Sequence, residues 1–549
     1  MIAMKEPARK RPEDAEPVRR LVADLLREKD AQIAWRDEVI SERDATIERL
    51  TRRADLLQEQ LNLAIARRYS ARSEKGDPGQ LFDEAETTAL MTSGALGTEG
   101  VEEPLEPLEP ETVTVSYTRK AHGGRKPLPE ALPRLAIVHE LPEEERVCPH
   151  DGQVLTVIGD EVSEQLDIIP ATIQVLRHIR KKYACACGRC VKTAALPPQP
   201  LPKTMASPGL LAHIAVSKYQ DALPLYRQEQ ILTRIGMDLP RATLAHWMIK
   251  SGVLAQPLIN VMRDRLLGYD IIQMDETPVQ VLKEPGKTAE SQSYLWVQRG
   301  GPPGCPIILF DYDPSRRREV PVRLLEGFSG ILQTDAYAGY EEAVRTYGLT
   351  HAGCLAHARR KFDEVIKSQG KHRKPGLAEA GLTQIQKLYG VEKAARTMTP
   401  EDRHRYRETQ ARPVWEKLRL WLALHRPGVP PQSALGKALG YLHNEWDKLQ
   451  VYLTDGRLSI DNNATENSLR PFCVGRRNWL FNDSVAGVHA SANLYSLIET
   501  CKAAGLEPYH YLRRLFTDLP KAQTVEDLEA LLPHALINDP TLPRFTPRR

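Results

Sequence analysis

Two aspartates lie in apolar segments, where an unpaired carboxylate is costly. Asp275 is midway in IIQMDETPVQVL, and Asp335 ends the segment GILQTD just before AYAGY. Because desolvation disfavours a bare charge, each calls for a metal ion or another partner. Carboxylate oxygens from different elements suit Mg²⁺, and two such ions can neutralise the charge that develops on a phosphodiester as it is cleaved. The two aspartates are therefore candidate ligands of a divalent-metal site.

Glu466 is a third candidate, but its local pattern is ambiguous. Residues 461–463 favour the start of a helix, which places Glu466 in the first turns and Arg470 one turn later. Taken alone, this pattern is explained more simply by a surface acid paired with Arg470. A role as a metal ligand depends on where the predicted strands lie and on the resemblance described below.

The elements that must position these acids follow from the apolar pattern. The segments DIIQMDETPVQVL, SYLWVQRG and PIILFDYDP predict a three-stranded meander, and GILQTD predicts another strand beside the first. A largely helical stretch follows from about 365 to 458. The later segments NNATENSLRPFCVGRRNWLF and ANLYSLIETCKAAG are helical or mixed. The predicted order is meander, helix, strand, insertion, helix.

Several segments, in this order, resemble the insertion-sequence-66 family of bacterial transposases. They are MDETPVQVL, TDAYAGY, HARRKF and DNNATENSLRPFCVGRRNWLF, followed by YSLIETCKAAGLEPYHYL. The resemblance covers nearly the whole chain. It implies an RNase H-like domain of the Asp-Asp-Glu class, interrupted by a helical insertion, in which Asp275, Asp335 and Glu466 bind Mg²⁺. It also implies cleavage at the ends of a mobile element, strand transfer to target DNA, and small accessory proteins of the same element.

Basic residues in HARRKF and near Glu466 would contact DNA phosphates beside the metals under this resemblance. Trp479 is either a base-stacking residue or a buried core residue. The predicted DNA contacts are His357, Arg359, Arg360, Lys361, Arg470, Arg476 and Arg477.

Cysteines in CPHDG and YACACGRC predict a zinc ribbon, because the second motif has a two-residue gap suited to a thiolate pair. The resembled family usually has a second cysteine where this chain has Asp151, so the fourth ligand is His150, Asp151 or Cys185. A ribbon that has lost its metal is the alternative. Isolated cysteines at 305, 354, 473 and 501 are predicted to be small buried hydrophobes. The preferred ligands of a structural Zn²⁺ are Cys148, His150, Cys187 and Cys190.

An apolar row with a seven-residue period near the N-terminus predicts a coiled coil between copies of the chain. A single amphipathic helix packed on its own protein is the alternative. The row is Leu26, Ile33, Ile40, Ile47, Ala54 and Leu61.

The piece QILTRIGMDLPRATLAHWMIKSG predicts two helices joined by a turn at Gly236, either a helix-turn-helix for DNA or an ordinary hairpin. GGRKPLP in the preceding linker is either a minor-groove arm or solvated chain.

The predicted fold class is a multi-domain α/β protein in which these modules precede the RNase H-like catalytic domain. The predicted domains are a coiled coil (1–70), a linker with a basic arm (71–145), a zinc-ribbon-like module (146–200), a helix-turn-helix-like segment (201–265), the catalytic domain (266–505) and a C-terminal helical segment (506–549).

Global composition adds little about partners. The net charge is only +3, so a nucleic-acid partner has to be inferred from local clusters. No apolar run is long enough to span a membrane, and the N-terminus has no secretory signal, so we expect a cytoplasmic protein. The leading hypothesis is a transposase that acts on double-stranded DNA. The rivals are a non-catalytic DNA-binding protein descended from one, and an RNase H-like nuclease without strand transfer.

The coiled-coil hypothesis is testable by deleting residues 1 to 70. We expect the shortened protein to keep its catalytic fold but lose self-association, because the apolar row would be gone. Light scattering measures the mass. An unchanged oligomer mass counts against the coiled coil.

Overall fold

The computed structural model describes residues 16–69, 135, 150, 153, 173–184, 191–369 and 376–545. By its internal contacts the chain divides into two units, one of Met1–Gly94 with Ala194–Arg549 and one of Ala95–Thr193. In the smaller unit, strands β1 (Lys182–Ala184) and β2 (Val191–Thr193) form an antiparallel pair. None of the helices in the described ranges is both long enough and apolar enough to cross a membrane.

The larger unit begins with helix α1 (Glu16–Tyr69). The apolar row predicted for a coiled coil lies along this helix, and its members are exposed in the single chain. Glu59 on the same helix accepts a hydrogen bond from the backbone of Ala434. The helix is as predicted, and its pairing with another copy stays a prediction.

A mixed sheet forms the centre of the larger unit. Its strands are β3 (Ile271–Lys283), β4 (Gln292–Gly300), β5 (Ile307–Asp313), β6 (Ile331–Gln333) and β7 (Thr350–Ala352). Their order is β5-β4-β3-β6-β7, with β3, β4 and β5 antiparallel and β6 and β7 parallel to β3. The predicted meander is confirmed, as is the further strand beside its first member.

Helices precede, connect and follow the strands. The strand β8 (Asn482–Ser484) pairs with the far end of β3. The helices are α2 (Pro208–Tyr219), α3 (Leu225–Arg234), α4 (Arg241–Leu267), α5 (Glu319–Leu324), α6 (Glu341–Tyr347), α7 (Leu355–Ser368), α8 (Leu377–Ala394), α9 (Pro400–Gln410), α10 (Arg412–His425), α11 (Ala434–Asn444), α12 (Trp446–Gln450), α13 (Asn463–Trp479), α14 (Val485–Ala503), α15 (Pro508–Asp518) and α16 (Val525–Glu529).

Helix α14 joins the sheet to the helical layer. Its Ser496 and Thr500 hydroxyls accept hydrogen bonds from the backbone of β5, at Phe310 and Ile308. On another side it packs closely on α4, where a side chain at Gly252 would collide with Ala490. The long helix α4 is therefore part of the layer that supports the sheet.

The predicted two-helix piece corresponds to α3 and the start of α4. Gly236 has a φ of +88° in the turn between them, and Leu239, Leu244 and Trp247 are buried as expected. Arg234, Arg241, His246 and Lys250 are exposed. The geometry is that of the predicted helical pair, and its contact with DNA stays a prediction.

The insertion is helical, as predicted, and helices α7 to α12 build a core separate from that around the sheet. Its two ends are tied together, because Gly353 donates to the Lys448 carbonyl and Leu355 to the Ile460 carbonyl. The chain therefore leaves β7 and returns to α13 at nearly the same place.

Arg407 is the fully buried charge at the centre of the insertion. Its guanidinium pairs with the Glu392 carboxylate at 2.7 Å and donates to the carbonyls of Tyr452, Asp455 and Leu458. One side chain therefore connects α8 and α9 to the segment before α13.

We expect Arg407→Ala to lower the free energy of unfolding by about 3–5 kcal/mol, because it leaves Glu392 and the carbonyls without their donor. Arg405→Ala is the matched control on the same helix, where the exposed arginine pairs with Asp402 and we expect a loss of about 0–1 kcal/mol. Urea unfolding followed by circular dichroism measures both. Equal losses would contradict a structural role for the buried cation.

Candidate active site

Asp275 lies near the middle of β3, between β4 and β6. Its side chain is half-buried, and its Oδ1 accepts a hydrogen bond from the Glu276 amide at 2.8 Å. Burial raises the pKa of Asp275 well above its usual range, and the negative charges of Glu276, Glu466 and Asp335 raise it further. Asp335 and Glu466 therefore lie close enough to Asp275 for their charges to act on it.

The register between β3 and β6 brings Asp275 and Asp335 to the same end of these two parallel strands. Gln273 pairs with Gln333 in this parallel ladder, and each aspartate lies two residues beyond its glutamine. The two amide side chains also bond to each other at 2.7 Å. Asp335 is held past the strand end, where its Oδ1 accepts from the Tyr337 amide at 3.0 Å.

Glu466 is buried in the first turn of α13. Two hydrogen bonds fix this end of the helix to β3, from Asn462 Nδ2 to the Met274 carbonyl at 2.9 Å and from Thr465 Oγ1 to Gln273 Oε1 at 3.1 Å. The two residues that precede Asp275 therefore fix the end of the helix that carries Glu466.

Two basic neighbours of Glu466 come from α7. Its carboxylate lies 4.0 Å from His357 Nδ1 and 3.7 Å from the Arg360 guanidinium. The simpler interpretation of Glu466 as a surface acid is wrong, since its side chain is buried. The sequence could not reveal this because α7 is remote along the chain.

Cys354 is a site residue that the sequence did not reveal. Ligand atoms of Cys354, His357 and Glu466 all lie within 4.8 Å of one another. The Cys354 Sγ also accepts a hydrogen bond from the Asn462 amide at 3.2 Å, and burial raises the pKa of this thiol. The cysteine is buried, as predicted, but it also joins the starts of α7 and α13 around the acids.

A buried ion pair supports the opposite face of β3. The Glu276 carboxylate accepts from the Arg316 guanidinium at 2.6 Å and from the Tyr340 hydroxyl. Arg316 also lies over the Tyr337 ring, 3.9 Å from its centre. Because the Tyr337 amide bonds to Asp335, this network connects the strand of one aspartate to the loop of the other.

The predicted DNA-contact residues do not form one cluster. His357 and Arg360 lie beside Glu466, whereas Arg359 and Lys361 lie over the rings of Tyr389 and Tyr441 in the insertion.

On α13, Arg476 reaches Thr277 Oγ1 at 3.3 Å and fixes the helix to β3. Arg477 is exposed and Arg470 is half-buried. Trp479 packs edge-on against Phe472, with ring centres 5.4 Å apart, which favours the core interpretation of this residue.

The predicted zinc ligands Cys148, Cys187 and Cys190 lie outside the described residues, as do the alternatives Asp151 and Cys185. His150 is described and exposed.

Comparison with known families matches most of the chain. The profile of the transposase IS66 family matches residues 203–490, which include all three acids. A profile described as the zinc-finger binding domain of transposase IS66 matches 145–188, and this match ends before Cys190. Profiles of the IS66 C-terminal element and of the transposase C of IS166 homeodomain match 496–534 and 56–137. The match to the zinc-finger profile supports zinc binding by the cysteine module.

Relatives from Sinorhizobium fredii are similar over much of the chain. The uncharacterized protein y4jD is 35% identical over 425 residues, which cover 74% of this chain and 81% of the relative. The uncharacterized protein y4qI is 31% identical over 433 residues, covering 75% and 79%. Their names state no activity.

The raised pKa of Asp275 predicts a pH-dependent stability. Because the folded pKa exceeds the unfolded value of about 3.9, the unfolding free energy falls as pH rises from that value through the folded pKa. We therefore expect Asp275→Asn, without metal, to unfold at a higher temperature than the wild type at neutral pH. A gain of about 1 kcal/mol corresponds to roughly 2–4 °C in a domain of 150–250 residues.

The difference should disappear below about pH 4, where the aspartate is protonated in both states. Asp270→Asn is the control, since Asp270 precedes the same strand but is exposed and pairs with Arg457 at the surface. Thermal unfolding in a chelator from pH 4 to 8 measures the effect. If Asp275→Asn is no more stable than Asp270→Asn at neutral pH, the acids do not repel one another as described.

Proposed function

The chain belongs to the IS66 family of transposases, and from that premise we propose that it is a metal-dependent enzyme that cleaves DNA at the ends of its element and joins them to target DNA. The observation that carries the proposal is geometric: the β3–β6 register and the bonds from α13 to β3 place Asp335 and Glu466 near Asp275, inside the region that matches the family.

We propose that the sheet and α13 form an RNase H-like domain of the Asp-Asp-Glu class. Three antiparallel strands, two strands parallel to the first, and a later helix that carries the third acid support this assignment. The insertion lies between β7 and that helix, in the place that the family resemblance implied.

The chemistry of the donor atoms favours Mg²⁺ as the catalytic metal. Asp275, Asp335 and Glu466 offer hard carboxylate oxygens, and the repulsion that raises the pKa of Asp275 is what a bound cation would relieve. When bound, divalent ions would neutralise the charge on the attacking and leaving oxygens of a phosphodiester. Cys354 is a soft ligand that Mg²⁺ does not favour, so we assign it a structural role.

The remaining residues of the site position the acids. The glutamine pair of β3 and β6 fixes the spacing of the two aspartates, and Arg316 pairs with Glu276 and offsets part of its negative charge beside Asp275. Arg360 and His357 lie beside the Glu466 carboxylate, and Arg360 presents positive charge to an incoming phosphate.

Double-stranded DNA is the proposed substrate, both at the element ends and at the target. Exposed basic residues on α3 and α4 would bind it in addition to those on α7 and α13. We also propose a structural Zn²⁺ in the cysteine module, self-association through α1, and small accessory proteins of the same element as partners. The domain bounds given above are part of this proposal.

The test is cleavage of a labelled duplex that spans the DNA flanking the gene, with Mg²⁺ and with a chelator. We expect nicking only with Mg²⁺, and a loss of about 100-fold or more in Asp275→Ala, Asp335→Ala and Glu466→Ala, because each would remove charge stabilisation worth several kcal/mol. DNA binding, followed by fluorescence anisotropy, should remain.

Asp270→Asn serves again as the matched control and should cleave like the wild type. Supplying pre-nicked ends with a plasmid target tests joining separately, since a nuclease would cut without joining. Nicking that survives in the three alanine variants would contradict the proposed roles of the acids. Binding without any nicking or joining would favour a non-catalytic DNA-binding protein.

A further inference from the structure

Three metal-binding side chains of different kinds meet where α7 and α13 begin. The ligand atoms of Cys354, His357 and Glu466, a thiol, an imidazole and a carboxylate, all lie within 4.8 Å of one another. Cys354 and Glu466 are buried, and His357 is half-buried. Thiolate and imidazole are ligands that zinc and similar divalent ions favour, whereas Mg²⁺ favours oxygen. This cluster therefore differs in chemistry from the carboxylate set with which it shares Glu466.

The separation of the ligand atoms is close to what one ion requires. In a tetrahedral zinc site with these ligand types, the ligand atoms lie about 3.3–3.6 Å apart. His357 Nδ1 lies 4.0 Å from Glu466 Oε1, and the other carboxylate oxygen, Oε2, lies 3.7 Å from the Arg360 guanidinium. Side-chain rotations that move the ligand atoms by about 1 Å would close the cluster around an ion.

Backbone hydrogen bonds hold the two helix starts that carry the ligands. The Leu355 amide donates to the Ile460 carbonyl at 3.1 Å, and the Asn462 amide donates to Cys354 Sγ at 3.2 Å. Cys354 is also the N-cap residue of α7, and a helix N-terminus favours a thiolate. An ion would thus meet ligands that are already gathered, which lowers the entropy lost on binding.

The charge and number of the ligands suit an exchangeable divalent ion. Cysteine binds a metal as the thiolate, so binding releases the thiol proton. The thiolate and the Glu466 carboxylate then carry the two negative charges that a divalent ion neutralises. Three protein ligands leave a fourth position open, which distinguishes this cluster from a closed structural zinc site.

We propose that Cys354, His357 and Glu466 form a binding site for a transition-metal ion of the zinc class, and that an ion bound there takes Glu466 from the Mg²⁺ site. The competition with Mg²⁺ rests on the proposed function, whereas the metal site itself does not. With Mg²⁺ alone the thiol keeps its structural role, and a softer ion gives the same thiol a second one. Zn²⁺ is therefore expected to inhibit the proposed enzyme.

The first experiment measures metal binding alone, in the full-length protein without DNA or Mg²⁺. Co²⁺ is the probe, because it substitutes for Zn²⁺ and its bond to a thiolate absorbs in the near ultraviolet. We expect the wild type to bind one more Co²⁺ per chain than Cys354→Ser, whose affinity for that ion should fall by about 100-fold or more. Any ion held by the cysteine module is common to both proteins and cancels in the difference.

Two further variants make the binding result specific. Cys501→Ser is the matched control, because Cys501 is another buried thiol, which donates to the Leu506 carbonyl at 3.3 Å. It should bind Co²⁺ like the wild type. His357→Gln removes the imidazole but leaves every cysteine in place, and it should lose the same ion as Cys354→Ser. Circular dichroism checks that each variant is folded.

The second experiment adds Zn²⁺ to the Mg²⁺-dependent nicking reaction. We expect Zn²⁺ to inhibit the wild type and Cys501→Ser at the same concentration. Cys354→Ser and His357→Gln should need about 100-fold more Zn²⁺, each measured against its own rate without Zn²⁺. Excess Mg²⁺ should relieve the inhibition, because the two ions compete for Glu466.

Equal Co²⁺ binding by the wild type, Cys354→Ser and His357→Gln would refute the metal site and leave the proposed function intact. Loss of the ion in both variants with unchanged sensitivity to Zn²⁺ would refute the competition for Glu466. If the wild type nicks no DNA with Mg²⁺, the proposed function fails, and the Co²⁺ titration still decides the metal site by itself.

Discussion

The mutual repulsion of carboxylates is the constraint on which this structure depends. Asp275 lies beside Glu276 and within the field of two further acids, so the folded chain must hold together charges that oppose folding. It does so with neutral and cationic supports: the glutamine pair between β3 and β6, the amide of Asn462 on the β3 backbone, and Arg316 behind the strand. The repulsion between the carboxylates thus lowers the stability of the fold, and the surrounding contacts compensate for it, as is common at functional sites.

The strands and the two aspartates could be predicted because their signals are local. An acid within an apolar strand is visible in the sequence. A parallel neighbouring strand then brings its own acid to the same end of the sheet. Glu466 could not be interpreted in this way, since its neighbours His357 and Arg360 come from α7, which is separated from it along the chain by the rest of the insertion. Arg316 lies in a run of three arginines, and nothing in that run distinguishes the one that pairs with Glu276.

For Cys354, too, only part of its role could be predicted from the sequence. Its burial was predictable from its apolar surroundings, but its hydrogen bond from Asn462 depends on α7 and α13 beginning next to each other. For Trp479, the sequence left stacking and packing open, and the ring contact with Phe472 favours packing. The next residue, Leu480, is exposed and has a positive φ at the end of α13. No periodicity predicts this exposure, because the helical pattern ends there.

The tied ends of the insertion have a consequence for how such proteins vary. Backbone bonds close the loop at Gly353 and Leu355, and the helices beyond pack on their own core around Arg407. Changes of length or sequence after α7 can be absorbed locally, because the entry and exit points stay fixed and α7 keeps His357 and Arg360 beside Glu466. The helices that follow α7 are thus an appendage that evolution can reshape, for example to suit different assemblies.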